Sequence, residues 1–98
     1  MIQIEIDRDR VAAFCRRHRI RRLALFGSAV RPGFGADSDV DVLVEFDAGA
    51  RVGFLALARA ARELSALLGR RADLVLRTGL KPLIRKEVLS QEEVIFAA

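Results

Sequence analysis

The sequence has one cysteine, Cys15, and one histidine, His18. A disulfide framework is therefore excluded, and no cysteine–histidine spacing suits zinc. Cys15 lies inside a helix-like pattern and reads as a buried structural thiol. Long apolar runs are missing too: none reaches the roughly 18 residues of a membrane span. The opening residues Met1–Ile6, followed by acids and arginines, do not read as a signal peptide, so a cytoplasmic protein without membrane contact is expected. Neither G-x-x-x-x-G-K-[ST] nor G-x-G-x-x-G occurs, which removes the two commonest glycine-rich nucleotide signatures. Aromatic residues are sparse where basic ones are dense. The arginine-rich stretch 8–22 holds only Phe14, too little for the stacking platform of a single-strand binder. There are no repeats, linkers or low-complexity segments.

What remains is one domain, residues 1–98, with 52% apolar residues and enough chain to bury about 65% of its unfolded surface. The net charge of +4 is unevenly laid out. Residues 1–31 carry eight arginines against three acids, residues 32–50 carry five acids and no base, and residues 51–98 carry nine bases and five acids. An acidic island on a basic chain suits a metal-binding hollow whose surround attracts polyanions. For most of these arginines, though, a solvated helix face is the ordinary explanation.

Residues 2–6 alternate apolar and polar, as a short strand or extended lead-in would. Asp7 is placed to cap a helix over Arg8–His18, with Val11, Ala12, Phe14 and Cys15 at helical spacing. His18, at the helix end, is favoured there by the dipole and not by catalysis. Ile20–Phe26 reads as a core strand buried on both faces. Ala29–Arg31 predicts a helical turn, broken by Pro32-Gly33, and Ser38–Phe46 a second core strand. A helix over Val52–Leu68 follows, its apolar side including Phe54, Leu55, Leu57, Ala58, Ala61, Leu64, Ala66, Leu67 and Leu68, with Gly69 as its C-terminal glycine. A third strand over Ala72–Leu76, a turn at Thr78-Gly79, a helix over Lys81–Ser90 with Pro82 in its first turn and a strand over Val94–Phe96 complete the chain. The order predicts an α/β or α+β fold, a mixed sheet of about four strands with helices packed on it.

The chemistry is concentrated between Leu23 and Phe46. Asp39 and Asp41, two apart at the start of a strand, project to one face, roughly 6–7 Å apart at Cα. Like charges held so close oppose each other unless a cation lies between them, and a hard divalent ion with oxygen ligands, Mg²⁺ above all, is the usual remedy. Gly27 permits close backbone approach, and Ser28 could cap the turn after it, whose free N–H groups would face a phosphate. Asp73 opens the otherwise apolar third strand, a costly place for a carboxylate if it were buried without a partner.

Gly27-Ser28, ten residues, then Asp39-Val40-Asp41 resembles the G-S-x10-D-x-D signature of the polymerase-β-like nucleotidyltransferases. The nearest likeness is to their minimal single-domain branch, antitoxins that act beside HEPN-domain toxins. The resemblance extends over the chain, including Leu80–Leu89 and Val94–Phe96 as the closing helix and strand. It implies a third acidic residue on the strand beside D-x-D, which Asp73 fits. It further implies that Asp39, Asp41 and Asp73 hold two Mg²⁺ ions and that Asp73 accepts the proton of the attacking hydroxyl. Gly27, Ser28 and Arg31 would bind the ATP phosphates, and AMP would pass to a tyrosine of a HEPN toxin. Two departures stand out: Ala29 occupies a place that is often basic, and Pro32-Gly33 alters the loop over the site. Two alternatives remain open, a binding-only antitoxin that covers its partner and an RNA-binding module using the arginine-rich helix.

Overall fold

The computed structural model describes residues 6–27 and 39–98. The expected lead-in strand over 2–6, the helical turn at 29–31 and the loop at 32–33 lie outside these residues, apart from Ile6. The side chain of Asp7 accepts a hydrogen bond from the Arg10 amide (3.2 Å) and starts helix α1, Arg8–Arg17. Val11, Phe14 and Cys15 are its buried stripe. Burial pushes the Cys15 thiol up to about 12, which leaves it an inert core residue. His18 ends the helix, stacks on Phe14 with ring centroids 4.7 Å apart, and pairs with Glu63 at 2.6 Å. It thus has a structural role.

Strand β1 is Ile20–Phe26 and β2 is Val40–Phe46, starting one residue after Asp39. Helix α2 runs Phe54–Leu68, β3 is Ala72–Leu76, α3 is Pro82–Gln91 and β4 is Glu93–Ala97. Among the described residues the four strands lie in the order β3-β2-β1-β4. β1 is antiparallel to both β2 and β4, whereas β2 and β3 are parallel and joined through α2, the long crossover that parallel neighbours require. The mixed four-strand sheet is the one expected.

The two inner strands alternate. Val40, Val42 and Val44, with Leu23 and Leu25, pack under α1 and α2 against Phe14, Ala60 and Leu64. Ala24 and Leu43 point the other way and are covered by Leu80, with Val88 and Leu89 of α3 beside them. Leu23, Ala24 and Leu25 are all fully buried, so β1 is apolar on both faces because both are covered.

Helix α2 departs from expectation at its start. Gly53 is its N-cap, and Phe54 and Leu55 are 83% and 79% exposed. Leu55 and Ala66 lie on the back of the helix relative to Leu57 at 100° per residue, and Ala66 is likewise exposed. Ala60, absent from the expected apolar side, is buried. Gly69 ends the helix in the left-handed region (φ 71°), where glycine carries no Cβ penalty. Among the described residues no helix is long and apolar enough to cross a membrane.

Candidate active site

β2 carries alternate residues to the face away from α1 and α2: Asp41, Leu43 and Glu45. The register makes this face chemical at one end. Asp41 lies opposite Phe26 of β1 on one side and Asp73 of β3 on the other. Parallel strands in register present facing residues on the same side, so two aspartates stand next to each other across the ladder. Asp39, two residues before Asp41 in extended chain, joins them by alternation. Residues 32 positions apart in sequence are thereby brought to one sheet end by the β2–β3 pairing alone.

Asp41 is half-buried, while Asp39 and Asp73 are exposed. Burial, and then the neighbouring charges of Asp73 and Asp39, hold the Asp41 carboxyl above its usual range. The sequence argument for Asp73, that a strand aspartate is costly if buried, therefore does not apply. Its side chain is 49% exposed, with Arg71 Nε 3.9 Å away. The cost falls on Asp41 instead. Three hard oxygen donors of like charge make a donor set suited to Mg²⁺, and the repulsion at Asp41 is what a divalent cation would relieve. Their backbone positions converge more than their oxygens do: among the described residues no three acidic, histidine or cysteine side chains are already gathered around an ion-sized space.

Gly27 closes β1 beside this group with φ 68°. A Cβ built there would come within 2.5 Å of Asp41 Oδ2 and 3.3 Å of its Cγ. Sequence reasoning gave Gly27 room for a triphosphate; within the chain, the room is used first by Asp41. Gly27→Val is therefore expected to lower both thermal stability and nucleotide affinity. The left-handed backbone alone costs a β-branched residue about 1–2 kcal/mol, and the displaced carboxylate adds to the loss of affinity. Melting curves and calorimetric titration with a non-hydrolysable ATP analogue measure the two. Wild-type values in both would separate Gly27 from the site. Ser28 and Arg31, the other expected phosphate-binding residues, lie outside the described residues.

Arg71 is the addition that sequence reasoning missed, and its position two residues before Asp73, just ahead of β3, was the available signal. The far end of the same face has a different character. Burial raises the Glu45 carboxyl, but hydrogen bonds from Arg21 (3.1 Å) and Arg77 (2.9 Å) outweigh it and hold the group below the usual range. Glu45 is thus neutralised from within the fold, whereas Asp41 is left with carboxylate neighbours. That contrast marks the Asp41 end as the one built for an outside cation.

Comparison with known proteins agrees with this geometry. Residues 9–94 match the model of the nucleotidyltransferase domain family. The protein adenylyltransferase MntA of Thermococcus cleftensis is 41% identical over 80 residues, covering 82% of this chain and 77% of the relative. The fold matches that of a crystal structure of a toxin–antitoxin with AMP-PNP (TM-score 0.75, 19% identity, 95% of this chain and 75% of that one). It also matches a chain from the complex of a tri-AMPylated Shewanella oneidensis HEPN toxin with its MNT antitoxin (TM-score 0.66, 18% identity, 93% of this chain and 70% of that one).

Proposed function

Because the chain belongs to the nucleotidyltransferase domain family, we propose that it is a protein adenylyltransferase that moves AMP from ATP to a tyrosine hydroxyl of a HEPN-type toxin, and so serves as that toxin's antitoxin. The observation that carries this reading is the in-register pairing of Asp41 with Asp73, with Asp39 alongside. Supporting it are the identity to a protein adenylyltransferase and the likeness of fold to chains of two toxin–antitoxin structures, one with AMP-PNP and one of a tri-AMPylated HEPN toxin with its MNT antitoxin.

In this mechanism Asp39, Asp41 and Asp73 would hold Mg²⁺, two ions in all. The metal, when bound, neutralises charge on the triphosphate and on the phosphoryl group in transit. Gly27, Ser28 and Arg31 hold the β- and γ-phosphates. The acceptor oxygen attacks the α-phosphorus, the bond from that phosphorus to the bridging oxygen breaks, and pyrophosphate leaves. The hydroxyl proton passes to the Asp73 carboxylate, whose exposure leaves it accessible to an incoming acceptor. No covalent protein nucleophile is needed, and catalysis is positioning plus electrostatics.

The test pairs the purified chain with Mg²⁺, α-labelled ATP and a HEPN-domain protein, taken from an adjoining reading frame if one encodes it. Label on a partner tyrosine, with loss of the partner's ribonuclease activity, is the expected outcome. A silenced partner that carries no label would replace the enzyme by a binding-only antitoxin.

A further inference from the structure

Among the described residues β3 is an edge strand, paired only with β2. Along it runs a groove of about 420 Å³ lined by Phe54, Leu57 and Ala61 of α2, by Arg71 just ahead of β3, and by Asp73 and Leu74 of β3. Both faces of β3 contribute, so the groove follows the outer edge of the strand. At its mouth Phe54 is 83% exposed, and Leu55 next to it is 79% exposed. Large apolar side chains left in water at the start of a helix, beside a candidate catalytic carboxylate, have the character of a contact surface.

We propose that this groove seats the acceptor: an apolar segment of partner polypeptide that carries the hydroxyl to Asp73. The inference rests on the nucleotidyl-transfer reading and adds to it the place and chemistry of acceptor recognition. The lining decides the class of occupant. A polynucleotide would bring a row of phosphates, and among the described residues the groove offers one cation, Arg71, already 3.9 Å from Asp73. A small polyhydroxylated acceptor would need several convergent polar groups, and the lining supplies two charged side chains amid carbon. A polypeptide fits both the apolar wall and the edge. The Ala72 amide donates to Ser65 Oγ (2.8 Å) and not to β2. By the two-residue period of a strand, the Leu74 amide points outward in the same direction, where an extended segment could meet it. Continuity with Asp73 fixes the direction of docking, apolar residues along α2 and hydroxyl at the carboxylate end.

The test uses the full chain, α-labelled ATP with Mg²⁺, and three probes: a tyrosine pentapeptide with valine and leucine flanks, one with lysine and glutamate flanks, and a short oligoribonucleotide with a free 3′ hydroxyl. Transfer is read by label. Binding is read separately, without nucleotide, from backbone amide shifts of Leu57, Ala58 and Leu74. The apolar peptide is expected to move these amides and to be labelled with at least about tenfold higher kcat/KM than either other probe. Phe54→Asp removes the exposed ring while placing an acid where a helix start favours one. It is expected to lower kcat/KM for that peptide at least about tenfold with the affinity for a non-hydrolysable ATP analogue unchanged, whereas Phe54→Leu retains most of it. Shifts at these amides with no transfer to any probe would leave the groove standing and remove the transfer reading. Preference for the charged peptide or the oligonucleotide would overturn the proposal. So would indifference to Phe54→Asp, or a peptide-free dimer that covers these amides.

Discussion

Replacing Asp41 by asparagine is expected to abolish transfer while making the metal-free fold more stable. The two effects have one cause. Burial, then the charges of Asp73 and Asp39, raise the folded-state pKa of Asp41 above 3.8. Between 3.8 and that raised value the folded protein binds more protons than the unfolded chain, so stability falls as pH rises through the window. Above the window the ionised carboxylate opposes folding in full; below 3.8 both states are protonated and the difference disappears. Asparagine keeps the shape and removes the charge. Its melting temperature should therefore exceed that of the wild type at neutral pH, with the gap closing as pH falls through the window. Mg²⁺ should raise the melting temperature of the wild type and leave the mutant nearly unmoved. Wild-type transfer in the mutant, or a gap that widens toward acid, would end the reading of Asp41 as a metal carboxylate.

Asp73→Asn should divide binding from chemistry. On the proposed reading Asp39 and Asp41 suffice for the ion that accompanies the triphosphate, so affinity for Mg²⁺ and a non-hydrolysable ATP analogue should stay within about tenfold of wild type, roughly 1.4 kcal/mol. The transfer rate should fall by ~10²–10⁴, the range for a lost general base. Asp73 is half exposed, and the ion pair it makes with Arg71 is a loose one at 3.9 Å, so the substitution removes little that holds the fold. A single-turnover labelling assay beside calorimetry separates the two quantities. Labelling at the wild-type rate would reduce Asp73 to an edge-strand residue.

Much of this was legible in the sequence because the governing signals are local. The apolar run Leu23–Phe26 announced a strand covered on both faces, Ser38–Phe46 read as a second core strand, and the i, i+2 spacing of Asp39 and Asp41 announced a shared side. Asp7 as N-cap and Gly69 in the left-handed region follow from side-chain and backbone chemistry within one turn. What was not legible depends on partners far away in the chain. That Asp73 stands opposite Asp41, and not one position to either side, is a property of the β2–β3 ladder. That Gly27 makes room for the Asp41 carboxylate requires β1 and β2 to be paired. Phe54 and Leu55 have the composition of a core and the position of a surface, because hydrophobicity reports what a residue could bury against and not whether anything covers it.

The parallel pairing of β2 with β3 has a consequence for how freely such a chain can vary. The spacing of Asp41 and Asp73 is set by ladder hydrogen bonds, among them the Val40 amide to the Arg71 carbonyl at 2.8 Å. It does not depend on the length of the path from one aspartate to the other. The turn after Phe46 and the crossover helix could gain or lose residues, and the two carboxylates would still meet, provided the strands keep step. On the proposed reading, the segment that seats the acceptor could therefore change in length without moving the two carboxylates apart. One part of the molecule is free to change allegiance because another part measures distance by itself.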